Sequence, residues 1–328
     1  MGMLGGVIRR NRFLVLGRAG MDLYADPPGT LIEEARGFSS ALGGSAANIA
    51  VAITRLGGEA SLLTAVSNDA VGRFTLSELR RYGVGTEYVR AAGGEVRTSL
   101  AVVETRAENC QSVIYRHGAA DFLISAEDVE EVDFGRFGAL IVTGTSLAVE
   151  PSRAATFAAL KLARVARLPV ILDVDYRPYS WRSAEEAAST CRKAAELSDI
   201  VVGNDDEFTV MAGSISAGRA LAESLAGTNA LITVYKMGAK GSFAYAGVDC
   251  IETGIFTVDT LKPTGAGDAF MGGFVSSLAA GLELRDALRR GSAAAAIVVS
   301  RVGCAPAMPD ASELNHFLAS RQDSQDQH

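Results

Sequence analysis

The stretch best suited to chemistry is Gly265-Ala266-Gly267-Asp268, which directly precedes an apolar run of small residues over 269–280. This pattern predicts a tight loop that opens a buried helix. The first N–H groups of a helix lack intrahelical partners and carry the positive end of its dipole, so they can bind an anion. Asp268, in the first turn, could take a proton from a hydroxyl. One segment would then supply a base and an anion hole, although an ordinary glycine-rich helix start is the alternative for this motif alone.

The elements that must position this segment follow an α/β pattern. Strand-like runs lie at 12–17, 60–66, 139–143, 170–174, 200–203 and 230–235. Helical runs lie at 51–56, 71–82, 152–167, 184–197, 205–226, 269–280, 284–301 and 310–319, with a break near Gly213. Repeated β-α-β units predict a mostly parallel sheet covered on both faces, with ligands at the carboxyl ends of its strands.

Residues 86–117 depart from this pattern. Two β-type runs, 96–104 and 111–116, flank a polar turn with no helix between them. A hairpin inside a strand–helix series predicts a small sheet that stands off the main one as a lid over the site. We expect this lid to form mainly from about 18–42 and 86–117, within a single domain over 13–320. The segments 1–12 and 321–328 are expected to be flexible.

Composition narrows the class of protein. With 48% hydrophobic and 21% charged residues, the chain is typical of globular proteins. The net charge of −7 gives no support for binding to nucleic acid or to an anionic membrane. Because no membrane span or signal peptide is evident, we expect a cytoplasmic protein. The cysteines are far apart, which favours reduced thiols over disulfides or zinc; they are Cys110, Cys191, Cys250 and Cys304.

Three common nucleotide-binding fingerprints do not fit. The chain has no GxxxxGK[ST] and no set of protein-kinase motifs. Gly265-x-Gly267 is followed by Phe270 where a dinucleotide-binding turn needs its third glycine. An NAD-dependent oxidoreductase is therefore disfavoured.

Two other motifs resemble the ribokinase-like, or PfkB-type, carbohydrate kinases. The first is Gly43-Gly44-Ser45-Ala46-Ala47-Asn48-Ile49-Ala50 with Arg55-Leu56-Gly57; the second is Gly265-Ala266-Gly267-Asp268-Ala269-Phe270 with Gly272-Gly273. The resemblance extends from residue 13 to about 319. It implies a ribokinase-like fold with a small β lid, and ATP-dependent transfer of a phosphoryl group to a sugar hydroxyl. A non-catalytic sugar- or nucleotide-binding regulator on the same fold is the non-enzyme alternative, against which the intact Asp268 argues.

The resemblance also implies roles on the nucleotide side. Asp268 would be the base, and the N–H groups of Gly265, Ala266 and Gly267 would form the anion hole. The residues implied to meet ATP and Mg²⁺ are Asn204 near the phosphates, Glu207 in the Mg²⁺ shell, Lys236 and Gly238 in the nucleotide pocket, and Gly303 in the loop over the adenine and monovalent-cation sites. An ordinary first-turn residue and a surface lysine are the alternatives for Glu207 and Lys236. A requirement for K⁺ is left open.

On the sugar side, the resemblance assigns Asp22, Gly44 and Asn48 to the acceptor hydroxyls. A turn-forming aspartate and a helix cap are the alternatives for Asp22 and Asn48. Arginine forks bind carboxylates, so Arg116 and Arg177 suggest a sugar acid, unless they pair with the sheet rim.

The arginines point to the branch of the family that acts on keto-deoxy sugar acids. Gly17-Arg18-Ala19-x-x-Asp22-Leu23, the run from Asp175 to Trp181 and a Leu261-Lys262 insertion most resemble members that phosphorylate 5-dehydro-2-deoxygluconate in inositol catabolism. The insertion departs from the usual family pattern, in which Asp-Thr runs straight into Gly-Ala-Gly-Asp. 2-Keto-3-deoxygluconate is the next candidate, followed by a neutral sugar or a nucleoside. The expected partners are therefore a sugar acid and ATP, and a homodimer through the lid is left open.

Overall fold

Two sheets organise the protein in the computed structural model, which describes residues 7–322. The strands are β1 (Arg12–Leu16), β2 (Gly20–Asp26), β3 (Gly37–Gly43), β4 (Glu59–Ser67), β5 (Val89–Ala92), β6 (Ser99–Val103), β7 (Ser112–Tyr115), β8 (Ala139–Thr143), β9 (Val170–Asp173), β10 (Ile200–Asn204), β11 (Ile232–Lys236), β12 (Ser242–Ala246) and β13 (Asp249–Thr253). The α-helices are α1 (Ser45–Arg55), α2 (Ala70–Arg81), α3 (Ala126–Glu130), α4 (Ser152–Val165), α5 (Ala184–Ala195), α6 (Asp205–Ala212), α7 (Gly218–Thr228), α8 (Ala266–Ala279), α9 (Leu284–Val299) and α10 (Ala311–Gln322).

The main sheet has nine strands in the order β13-β12-β11-β10-β9-β8-β1-β4-β5. Every pairing from β11 to β5 is parallel, and only the β11-β12-β13 edge is antiparallel. The predicted mostly parallel sheet is therefore confirmed. The edge hairpin β12-β13 was not predicted from the sequence.

Helices cover both faces of this sheet because its strands are apolar on both sides. In β1, Phe13 and Val15 join the core under α1, α8 and α9, whereas Leu14 and Leu16 join the core under α4, α5 and α7. Successive side chains of a strand point to opposite faces, so one short apolar run contributes to both cores. This construction brings the carboxyl ends of the parallel strands to one edge.

A second sheet of four strands has the order β3-β2-β6-β7, and we call it the small sheet. The predicted hairpin forms its antiparallel β6-β7 pair. The prediction was wrong for residues 89–92, which pair with β4 in the main sheet. This pairing joins residues about 25 positions apart, and the four residues of β5 carry no pattern that specifies it.

The ends of two helices also differ from the predictions. Helix α1 begins at Ser45 and α8 at Ala266, earlier than the predicted residues 51 and 269. In both cases a glycine with positive φ, Gly44 or Gly265, precedes a helical first turn of small residues. Small polar residues favour loops and helix starts equally, so pattern alone places the boundary too late.

Most of the predicted flexible ends, residues 1–6 and 323–328, lie outside the described residues. Within the described part, Ile8 is buried and α10 continues through residue 322. The single domain over 13–320 stays a prediction. Among the helices within residues 7–322, none combines the length and apolarity needed to cross a bilayer.

Close packing of α1 against α8 depends on Gly272. A Cβ at this position would lie only 2.3 Å from the Cβ of Ala52. Gly272→Ala should therefore overpack the interface and lower the free energy of unfolding by about 1–3 kcal/mol. Urea denaturation followed by circular dichroism measures this change.

Gly227→Ala is the matched control. Gly227 lies in α7, and a Cβ there would meet nothing within 4 Å. The control should raise stability by up to about 1 kcal/mol, because alanine restricts the unfolded chain and favours helix. Equal stability of Gly272→Ala and the wild type would show that the two helices can separate without cost.

Candidate active site

A cleft of about 430 Å³ lies between the carboxyl edge of the main sheet and the small sheet. Most of the predicted site residues line it: Asp22, Gly44, Asn48, Arg116, Arg177, Asn204, Glu207, Lys236, Gly265, Gly267 and Asp268. Ala266 lies between two of these residues. Gly238, at the start of the 3-10 helix Gly238–Lys240, and Gly303 do not line the cleft, although Cys304 next to Gly303 does.

The start of α8 forms the floor of an anion site. Gly265 adopts φ 83°, and a Cβ there would lie 2.9 Å from Sγ of Cys304, so only glycine fits. No side chain caps this helix. Within the described residues, the N–H groups of Ala266, Gly267 and Asp268 have no hydrogen-bond acceptor. Such an exposed helix N-terminus attracts a phosphate or another anion.

Asp268 is held by α1. Its Oδ2 accepts a hydrogen bond of 2.8 Å from Nδ2 of Asn48. Asn48 therefore reaches across the α1–α8 interface, and its side chain does not cap its own helix. Burial, reinforced by the nearby charge of Asp175, raises the pKa of Asp268 to about 7, while the bond from Asn48 acts in the opposite direction. A carboxyl group with a pKa near neutrality is suited to general-base catalysis.

Acidic groups surround the opposite wall of the cleft. Glu207 is 5% exposed, and its two oxygens accept hydrogen bonds from the backbone N–H groups of Asn204 at 2.7 Å and Tyr176 at 3.2 Å. Glu207 thus forms a capping box with Asn204 at the start of α6. Burial raises the pKa of both Glu207 and Asp173, and Lys236 opposes this rise. Glu207 therefore has a structural role as well as a place in the cleft.

Lys236 is not an ordinary surface lysine. A Cβ at Gly267 would lie 3.5 Å from its Nζ, so the ammonium group stands beside the anion site. The side chain of Lys236 makes no hydrogen bond or ion pair with any residue in the range 7–322, and its nearest aromatic ring, that of Phe270, is 5.7 Å away. A free cation next to unpaired N–H groups favours an anionic ligand.

Three buried polar atoms of the cleft residues make no hydrogen bond within the described residues: Nη2 of Arg18, Oδ1 of Asp22 and Oδ1 of Asn48. Arg18 is 8% exposed and donates through Nε to Oγ of Ser99 at 2.7 Å. Its Nη2 lies 3.8 Å from Oδ1 of Asp22. Because unsatisfied buried polar groups are costly, donors and acceptors gathered in one cleft indicate a polar ligand.

The two predicted arginines already have carboxylate partners. Arg116 donates to Oδ2 of Asp121 from Nε at 2.9 Å and from Nη2 at 2.5 Å. Nη1 of Arg116 makes no hydrogen bond to the described residues. Arg177 is more exposed and lies 2.8 Å from Oδ1 of Asp175, which raises the pKa of Arg177.

Arg18 is the arginine that our assignment of site residues missed. It lines the cleft, and its buried Nη2 makes no hydrogen bond within residues 7–322 and lies 3.8 Å from the carboxylate of Asp22, whereas Arg116 and Arg177 each pair with a carboxylate at a shorter distance. Its place four residues before Asp22 was the available signal. Only the folded chain shows, however, which arginines are occupied by internal carboxylates.

No preformed metal cage is present in residues 7–322: no three or more His, Cys, Asp or Glu side chains are arranged to hold a metal ion. Mg²⁺ rarely uses such a cage and is usually bound through one or two carboxylates together with substrate phosphates. Asp173 and Glu207 are buried carboxylates that line the cleft with Lys236. The donor set therefore fits Mg²⁺ that arrives with a phosphate ligand.

Comparisons with known proteins cover almost the whole chain. The pattern of the pfkB family carbohydrate kinases matches residues 10–311. A 5-dehydro-2-deoxygluconokinase of Photobacterium profundum is 40% identical over 314 residues, which cover 94% of this chain and 95% of that protein.

Solved structures agree with this match. The fructokinase of Xylella fastidiosa with bound ATP has a TM-score of 0.85 at 26% identity, over 95% of this chain and 99% of its own. A fructokinase double mutant of Vibrio cholerae O395, with fructose, ADP and a potassium ion bound, has a TM-score of 0.83 at 27% identity, over 94% of this chain and 98% of its own.

The raised pKa of Asp268 predicts a pH profile. A base works only when it is deprotonated, so kcat/KM should fall as the pH drops below about 7. Asp175→Asn removes a neighbouring negative charge and should move this acidic limb to lower pH. Steady-state rates between about pH 5 and 9 measure both effects.

Asp249→Asn on β13, an exposed carboxylate remote from the cleft, is the control and should leave the profile unchanged. A wild-type profile that is flat from about pH 5 to 8 would contradict the role of Asp268 as a base with a raised pKa.

Proposed function

The chain belongs to the pfkB family of carbohydrate kinases, and on that premise we propose that it transfers the γ-phosphoryl group of ATP to the terminal hydroxyl of a keto-deoxy sugar acid. The first candidate acceptor is 5-dehydro-2-deoxygluconate, the substrate in the name of the Photobacterium relative. One observation carries the proposal. The unpaired N–H groups of α8 and the base Asp268 lie in the same cleft as Nη2 of Arg18, a buried donor that makes no hydrogen bond within the described residues.

Asp268 would accept the proton of the sugar hydroxyl as the hydroxyl oxygen forms its bond to the γ-phosphorus. The bond from that phosphorus to the bridging oxygen breaks, and ADP leaves. Asn48 orients the carboxylate through its 2.8 Å hydrogen bond. The N–H groups of Ala266 and Gly267, together with the helix dipole, would stabilise the charge on the transferring group.

Lys236 and Asn204 would meet the phosphates of ATP, because both lie at the carboxyl ends of neighbouring strands, β11 and β10. Gly238 and Gly303 stay predicted contributors to the nucleotide pocket. Asp173 and Glu207 would hold Mg²⁺ jointly with the phosphates. Mg²⁺, when bound, neutralises phosphate charge.

An acid acceptor explains the basic groups of the cleft better than a neutral sugar does. Arg18, Arg116 and Arg177 all line the cleft, and Arg18 offers a buried donor that makes no hydrogen bond in the described part of the chain. A carboxylate would satisfy this donor with a charge-assisted hydrogen bond. Asp22 and Asn48 each keep a free acceptor oxygen for sugar hydroxyls.

Two further properties are part of the proposal. We place the protein in the cytoplasm, and we assign a homodimer to the small sheet. Phe38, Val113 and Tyr115 on β3 and β7 are exposed large hydrophobic residues and support such an interface.

Asp268→Asn tests the phosphoryl-transfer step. The amide keeps the size of the side chain but cannot accept the proton, so kcat should fall by about 10²- to 10⁴-fold. Binding of ATP and of the sugar acid, measured by calorimetry, should stay close to that of the wild type. Near-normal turnover in this variant would exclude Asp268 as the base.

Arg18→Met tests the recognition of the acid. Loss of a charge-assisted hydrogen bond costs about 1.5–3 kcal/mol, which corresponds to roughly a 10- to 150-fold lower kcat/KM for a sugar acid. Turnover of a neutral sugar should change little. A coupled ADP assay with 5-dehydro-2-deoxygluconate, 2-keto-3-deoxygluconate, fructose and ribose measures both effects.

Arg73→Met, on the exposed side of α2, is the control and should match the wild type with every acceptor. If neutral sugars were better acceptors than the acids for the wild type, the assignment of a sugar acid would be wrong.

A further inference from the structure

Lys262 is an unusual residue because its side chain is fully buried, at 0% exposure, shortly before the anion site begins. Lysine is rarely buried completely, since moving an ammonium ion out of water is costly unless polar groups surround it. Lys262 belongs to the segment Leu261-Lys262-Pro263-Thr264, which separates Asp259-Thr260 from Gly265. None of the roles proposed for the kinase reaction involves this side chain.

Main-chain carbonyl groups, rather than carboxylates, hold the ammonium group. Its Nζ donates to the carbonyl oxygen of Thr264 at 2.5 Å and lies 3.4 Å from that of Val298. No carboxylate of residues 7–322 lies within 4.0 Å of the Lys262 ammonium group. Backbone carbonyl oxygens also coordinate metal cations in proteins, so the surroundings of this ammonium group resemble a cation site.

The contacts of Lys262 connect the C-terminal end of α9 to the loop that precedes α8. Val298 lies in the last turn of α9, where the helix dipole is negative, and the N–H of Lys262 donates to the carbonyl of Val299 at 3.2 Å. The carbonyl of Thr264 belongs to the peptide bond that leads into Gly265. In a trans peptide, C=O and N–H point in opposite directions, so anchoring this carbonyl inward directs the N–H of Gly265 away from the buried ammonium.

The carbonyl groups around Lys262 favour one positive charge and disfavour a second one beside it. Burial lowers the pKa of Lys262, while the carboxylates of Asp268 and Asp22 oppose this change. A K⁺ ion bound to the same carbonyls would lie beside the ammonium in a buried site, where like charges repel strongly. These carbonyls therefore do not fit an external monovalent cation while Lys262 occupies them.

We propose that Lys262 is a built-in cation: a positioning residue whose ammonium group holds the turn before α8, so that ATP binding and phosphoryl transfer need no external monovalent ion. This inference rests on the proposed kinase function and concerns the same site. It distinguishes this chain from the Vibrio cholerae fructokinase, whose structure contains a potassium ion.

The experiment compares the wild type with Lys262→Ala and Lys262→Met in buffers whose only monovalent cation is K⁺, NH₄⁺ or choline. Calorimetry measures ATP affinity, and the coupled ADP assay measures kcat with the sugar acid. Lys161→Met, a neutral substitution of an exposed lysine on α4, is the matched control. ATP binding needs no acceptor, so it tests the inference even if the acceptor is misassigned.

For the wild type and Lys161→Met, we expect ATP affinity and kcat to differ by less than about twofold between K⁺ and choline. Lys262→Ala in choline should lose at least about tenfold in both quantities, the loss expected for one charge-assisted hydrogen bond. K⁺ or NH₄⁺ should restore much of this loss with saturation, because the vacated space admits a small cation. Lys262→Met fills that space, so cations should rescue it poorly.

Two results would overturn the inference while leaving the kinase function intact. One is a wild-type ATP affinity or kcat that depends more than about tenfold on K⁺. The other is a folded Lys262→Ala protein that either keeps wild-type affinity in choline or is not rescued by any of the cations. A wild type that binds ATP but phosphorylates none of the acceptors would count against the proposed acceptor and not against the role of Lys262.

Discussion

The start of α8 leaves N–H groups without a partner in the described part of the protein, and much of the structure serves to keep them available. Gly265 has no side chain, whereas a Cβ at this position would collide with Cys304. No neighbouring side chain caps the helix. The close α1–α8 contact at Gly272 fixes the helix laterally. Unpaired backbone donors lower the stability of a protein. These N–H groups therefore stay unpaired only because the surrounding packing holds the helix start in place.

Three charged residues near the start of α8, Asp268, Lys236 and Lys262, have different surroundings and different proposed roles. Asp268 is buried and accepts one hydrogen bond from Asn48. Burial raises its pKa toward neutrality, and the hydrogen bond holds the carboxylate in place. Lys236 stands beside the anion site with its ammonium group open to the cleft, while Lys262 is tied to carbonyls beneath it. Two lysines thus differ in role because one faces the cleft and the other is enclosed by backbone.

The small sheet completes the site from the opposite side. It supplies Asp22 from β2 and the Ser99 hydroxyl that holds Arg18. Tyr24 on the same strand connects it to the C-terminal loop, because its hydroxyl contacts Cys304 and Asp22. The acceptor pocket therefore depends on residues that the chain contributes from both of its ends.

Local patterns and short motifs in the amino-acid sequence were enough to predict the mostly parallel sheet, the hairpin β6-β7 and the glycine-rich helix start from Gly265 to Asp268. The resemblance of its motifs to a known family also identified most of the residues that line the cleft. The folded chain was needed to show that β5 joins the main sheet, that the buried Nη2 of Arg18 makes no hydrogen bond within the described residues, and that Lys262 is enclosed among carbonyls. Pairing, burial and charge compensation depend on residues far apart in the chain, and no local pattern records which of them meet.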